Sequence, residues 1–206
     1  MEIPFEIYIR AFVLLCAVID PLGTVPVFIA ETRLHPEYDK RSVAIQAVVI
    51  AAGILLFFLI AGQFLLEQMG IPLSAFQIAG GIVLFLFSLT MIFSEGKLEG
   101  EINIIKSGRD TAIFPLAIPS IASPGAVLAI VLLTDNHRFN ILHQAYIALI
   151  MFLVLSITLL LLLLGERIHK LVGDSGASVA SRVMGLILGS VAANDVLLGI
   201  KQFFGM

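Results

Sequence analysis

The chain has no tryptophan and only one cysteine, Cys16. A single thiol excludes an internal disulfide and says nothing of compartment. Charge is scarce: Asp, Glu, Lys and Arg make up 13% of the 206 residues, where a soluble domain carries about a quarter. The spaced residues of common enzyme sites are absent too, with no His-Glu-x-x-His, no Gly-x-Ser-x-Gly and no Walker loop. We therefore expect neither an enzyme nor a nucleic-acid partner nor a resident cofactor. With no ATP-binding segment, any driven transport would draw on an ion gradient or on the substrate's own.

What fills the space is apolar. Hydrophobic residues make up 59% of the chain, and the mean hydropathy is +1.06. Runs long enough to cross a bilayer recur with few or no charges inside them. The fold class read from this is an all-α polytopic membrane protein, a single transmembrane domain over 1–206. Six spans are expected, near 5–30, 43–66, 72–93, 111–133, 141–164 and 179–199. Besides phenylalanine, only Tyr8, Tyr38 and Tyr146 are available as interfacial aromatics, so the belt signal is weak. The opening Met-Glu-Ile-Pro-Phe-Glu has no positive n-region, and no cleaved signal peptide is read.

Sidedness follows from Lys and Arg rather than from the net charge of -3. Arg33, Lys40, Arg41, Lys97, Lys106, Arg109, Arg167, Lys170 and Arg182 fall on the side of loops one, three and five. Only Arg10, Arg138 and Lys201 fall on the other. The odd loops, including the long connector near 94–110, are thus expected in the cytoplasm. Both termini are expected on the non-cytoplasmic side of the plasma (inner) membrane.

The first span carries its own interruption. Asp20-Pro21 reads as an N-cap followed by a first helical position, which opens a second half-helix inside the apolar run. Pro21 has no N–H, and its ring opposes continuation of the preceding helix. Gly23 is expected to let the backbone leave helical geometry cheaply. Backbone broken at membrane depth is tolerated only where it faces protein or a wet cavity, so the break is a candidate substrate site.

The second half repeats this pattern. Ile19, Gly23, Val25, Thr32 and His35 align with Ile121, Gly125, Val127, Thr134 and His137. One residue out of that register, Asp20-Pro21 matches Ser123-Pro124, and Gly70 resembles Gly173. With three spans per repeat, about 1–95 and 111–206, the second copy would enter the membrane from the opposite side. Inverted repeats with matching discontinuous helices are the best sequence pointer to a transporter's midplane site. Half-helix N-termini suit a carboxylate, and freed carbonyls suit a cation or ammonium. One site could hold both ends of a zwitterion.

Ile-Asp-Pro-Leu-Gly-Thr-Val-Pro-Val-Phe at 19–28 and Pro-Leu-Ala-Ile-Pro-Ser-Ile-Ala-Ser-Pro-Gly-Ala at 115–126 resemble the paired signatures of the MarC family. That family is similar in turn to a wider superfamily of LysE-like exporters. Its SnatA-type members carry small neutral amino acids such as glycine and alanine, so the resemblance implies a carrier of that kind. In the family the position of Asp20 is often Asn. Its second motif is often Gly-Pro-Gly where this chain has Ser123-Pro124-Gly125.

The candidate substrate site is therefore Asp20, Pro21, Gly23, Thr24, Ser123, Pro124 and Gly125. An ionisable residue at membrane depth is expensive and functional by default. Asp20, Asp195 and Asn194 are accordingly candidates for a coupling ion, H+ or Na+. Asp20 has an even alternative as a structural cap, and Asp195 as an interfacial acid near a helix end. Gln77 is expected to bond a neighbouring helix, and Gly185 with Gly189 to allow close packing. The leading function is a secondary transporter of small solutes, with the solute and the bilayer as its partners. The alternatives are an ion or metal carrier and a non-transporting membrane adaptor.

Overall fold

The computed structural model describes residues 5–32, 37–93, 108–135 and 139–205. Most of the expected connector near 94–110 lies outside them, as do His35, His137, Arg33 and Arg138. Among the described residues all regular structure is helical. The elements are α1 (Phe5–Ile19), α2 (Pro21–Thr32), α3 (Glu37–Gln68), α4 (Leu73–Phe93), α5 (Gly108–Thr111), an interrupted segment Ala112–Ile121, α6 (Pro124–Leu133), α7 (Ile141–Leu163) and α8 (Gly165–Phe203).

Among the described residues, five stretches are long and apolar enough to cross a membrane: Glu6–Thr32, Asp39–Gln68, Leu73–Phe93, Ile141–Leu163 and Arg182–Phe203. The stretch expected as span four, 111–133, is not one helix. Phe114 (φ -134, ψ 123) and Ile118 (φ -130, ψ 125) are extended. Each precedes a proline, and the proline ring drives the residue before it out of the helical region. Only the ten-residue α6 is regular there. A second departure lies at 165–178, read as part of a loop. α7 and α8 are joined through Leu164 alone, and α8 runs unbroken for 39 residues. Gly173 is consequently inside a helix. Gly70, matched to it in the sequence, has φ 66 in the turn between α3 and α4. That particular match is not structural.

α3 presents Ala44, Ala47, Ala51 and Leu55, all fully buried, at helical spacing. They face a core completed by Leu15 and Ile19 of α1, Leu116 and Ile121 of the interrupted segment, Ile130 of α6 and Met151 of α7. The short elements α1, α2, the interrupted segment and α6 thus lie inside the bundle. α3 and α7 pack on each other, and α4 packs on α6 and, most extensively, on α8. Phe57, Ile60, Leu86, Leu149 and Leu197 stay exposed, as suits side chains facing lipid.

The α4–α8 seam is built on glycine. A Cβ at Gly81 would sit 3.1 Å from the Ala192 carbonyl, one at Gly185 3.0 Å from the Ser88 carbonyl, and one at Gly199 2.9 Å from the Ser74 carbonyl. These pairings run antiparallel along the two helices. Without hydrophobic drive between helices in lipid, such close backbone approach is what holds them.

Candidate functional site

Asp20 is the hinge between α1 and α2. It is 6% exposed, with φ 46 in the left-handed region that non-glycine residues rarely enter. Its N–H still donates to the Cys16 carbonyl (3.1 Å), and its own carbonyl accepts the Thr24 N–H (3.0 Å), so the break is one residue wide. The Asp20 Oδ1 accepts the Gly23 N–H at 3.0 Å, the N-cap bond its sequence position promised. Gly23 itself is helical, contrary to the expectation that it relaxes the backbone. A Cβ there would overlap the Asp20 carboxylate, so Gly23 supplies space for the cap.

The second break mirrors this chemistry. Ser123 (φ -67, ψ 157) is fully buried and caps α6, its Oγ accepting the Ala126 N–H at 3.1 Å with Pro124 behind it at the first helical position. The same hydroxyl donates to the Val18 carbonyl at 3.0 Å. An unbroken helix would pair that carbonyl with the N–H of Leu22. The interruption at Asp20 thus frees an acceptor at the end of α1, and the cap of the other break satisfies it. A second bond joins the two motifs, from Ser120 Oγ to Thr24 Oγ1 at 3.3 Å. Thr24 is 1% exposed, and its hydroxyl also donates to the Asp20 carbonyl.

The structure therefore joins the break at Asp20–Thr24 to the break at Ser120–Ser123 in the bundle interior, through Val18 with Ser123 and Thr24 with Ser120. Pro124 is exposed, and Gly125 is buried against Leu84 of α4, where a Cβ would overlap it. Ser120 was missed in the sequence, although it stands three residues before the cap in the same motif. The coupling-ion candidates do not gather with Asp20. Asp195 is half-buried on the α4–α8 seam, accepting from Gln77 Nε2 at 3.4 Å, and Asn194 is exposed beside it.

These features define a class: an all-helical integral membrane protein organised around two interrupted helices that meet in its interior. The profile of the MarC family integral membrane proteins matches residues 5–204, and the chain belongs to that family. It is 36% identical over 199 residues to the UPF0056 membrane protein MJ1677 of Methanocaldococcus jannaschii, covering 95% of this chain and 97% of that one. It is 33% identical over 195 residues to the UPF0056 inner membrane protein YhgN of Escherichia coli K12, covering 95% and 96%. A UPF0056 membrane protein of Buchnera aphidicola is 33% identical over 196 residues, covering 95% and 97%. No solved structure matches.

Proposed function

We propose that the protein is a secondary transporter of small polar solutes, small neutral amino acids first among them, working by alternating access around the paired breaks. The observation that carries this reading is the Ser123 Oγ to Val18 carbonyl bond. It joins a freed helix end from one half of the chain to a capped helix start from the other. Transporter sites are typically assembled from such discontinuous helices. The N-terminal turn of α6 suits a carboxylate, and the carbonyl end of α1, next to the Asp20 carboxylate, suits an ammonium.

The architecture proposed with it is a six-span inverted repeat, α1 to α4 against the interrupted segment to α8. Two packing relations support it. The repeat mates α3 and α7 touch, and the mates α4 and α8 run antiparallel in reciprocal glycine contacts. The coupling ion in this reading is H+ or Na+. Reconstituted protein should accumulate labelled glycine or alanine in proteoliposomes when an ion gradient is imposed. Failure to move any small amino acid, with or without a gradient, would sink the proposal.

A further inference from the structure

The hinge at Asp20 is held from outside at two points, one on each side of it. Before the hinge, the Val18 carbonyl accepts from the Ser123 hydroxyl at 3.0 Å. Beyond it, the Thr24 hydroxyl accepts from the Ser120 hydroxyl at 3.3 Å. Both serines belong to the second break, so one short stretch grips the end of α1 and the start of α2 together. A left-handed aspartate persists only where its surroundings over-determine it, and these two bonds do so alongside the cap to Gly23.

The two grips differ in what their loss leaves behind. The Ser123 hydroxyl donates to Val18 and also accepts the Ala126 N–H. Ser123 and Val18 are 0% and 1% exposed, so parting them strands a buried carbonyl, and removing the hydroxyl strands an N–H as well. Ser120 holds no such place. When it leaves, the Thr24 hydroxyl keeps its own bond to the Asp20 carbonyl at 3.0 Å, and only a lone pair goes unmet. Ser120 is half-buried, and its contact is the longer of the two.

α2 is also the element least able to hold its own shape. Pro26 lies inside it, so the Leu22 carbonyl lacks its helical N–H partner. The two half-helices are tied to different neighbours besides α7, which both touch: α1 packs on α6, and α2 on α8. A shift between those neighbours is therefore felt at the hinge.

We propose that Ser123–Val18 is a fixed pivot and Ser120–Thr24 a latch, and that the chain changes conformation by opening the latch, with α2 turning about Asp20 while α1 and α6 stay joined. An open latch leaves the Ser120 hydroxyl and a Thr24 lone pair to a polar solute in the break. That last assignment rests on the transporter reading; the pivot and the latch do not.

Hydrogen exchange read by mass spectrometry on the purified full chain tests this, alongside labelled-glycine uptake by the same variants in proteoliposomes. In Ser120→Ala the amides of α2 should exchange about three- to tenfold faster than in the parent, which is what one lost hydrogen bond allows. Those of α1 and α6 should keep their rates, and Tm should stay near the parent value. Thr24→Val should match this in α2, and Ser120→Thr, which keeps the hydroxyl, should hold the parent rate. Ser123→Ala should instead loosen the end of α1 and the start of α6 and lower Tm; the Ser120 and Thr24 variants decide the matter without it if it does not fold. Unchanged α2 exchange in both Ser120→Ala and Thr24→Val, or a rise shared equally by α1, α2 and α6, overturns the latch, even where glycine uptake upholds the transporter reading. A rise confined to α2, in a protein that carries no glycine, upholds the latch and removes the transporter reading.

Discussion

At residue 20 the backbone sits where an L side chain costs about 1–2 kcal/mol, and Asp or Asn is tolerated there because its side chain bonds locally. Asn also caps about as well as Asp, Gly somewhat less, and Ala poorly, at about 0.5–2 kcal/mol. Asp20→Asn is therefore expected to melt near the parent temperature, and Asp20→Gly only slightly below it. Asp20→Ala should fall clearly lower, having lost the cap while keeping the strain. Gly23 sharpens the test. Inside a helix Gly→Ala ordinarily stabilises by about 0.5–1 kcal/mol. Here the sign should invert, because the new methyl would strike the Asp20 carboxylate. In an Asp20→Gly background that collision has no partner, so Gly23→Ala should recover its usual benefit, a coupling that a double-mutant cycle of thermal melts reads directly. Additive effects would contradict the contact. If Asp20→Asn also transports with unchanged ion dependence, Asp20 is a cap and carries no coupling ion.

Among the elements, the break at Asp20-Pro21 was legible because N-cap and proline chemistry is local: the residues that make it are adjacent. The extended residues Phe114 and Ile118 were in principle legible by the same route. The apolar length of 111–133 points instead to one span with a single cap at Ser123, and it outweighs the signal of Pro115 and Pro119. The expected spans end at 164 and resume at 179, which leaves 165–178 as a loop, yet α8 continues through it. The pairing of Asp195 with Gln77, far apart in the chain, and the meeting of Ser123 with Val18 were beyond periodicity, since they exist only once helices pack. The Gly185/Gly189 spacing did forecast a close contact, and its partner helix is α4. Gly185→Ala should press on the Ser88 carbonyl and on Ile92, lowering thermal stability in detergent. Gly53 of α3 is the control. A Cβ there meets nothing within 4 Å, so Gly53→Ala should be neutral or stabilising by up to about 1 kcal/mol. Equal losses at both positions would argue against the seam.

For the molecule as a whole, the open quantity is which way it faces, and charge sets it. The helix order puts the start of α1, the α3–α4 turn and the ends of α6 and α8 on one face of the bundle, with the ends of α2, α4 and α7 on the other. Lys40, Arg41, Arg109 and Arg167 fall at the second face; Arg10 and Lys201 fall at the first. Lys and Arg near span ends orient a chain, whereas Asp and Glu contribute little, so the slight net negative charge does not reverse the assignment. The α7–α8 junction adds to this, because the stretch of α8 before Arg182–Phe203 holds Arg167 and Lys170 on the second side. The second face is thus expected in the cytoplasm. A reporter fused at the C-terminus should be active only outside the cytoplasm, and one inserted within 94–110 only inside it. The reverse pattern would overturn the orientation while leaving the packing of the breaks untouched, because the hydrogen bonds that join them do not depend on which face meets the cytoplasm.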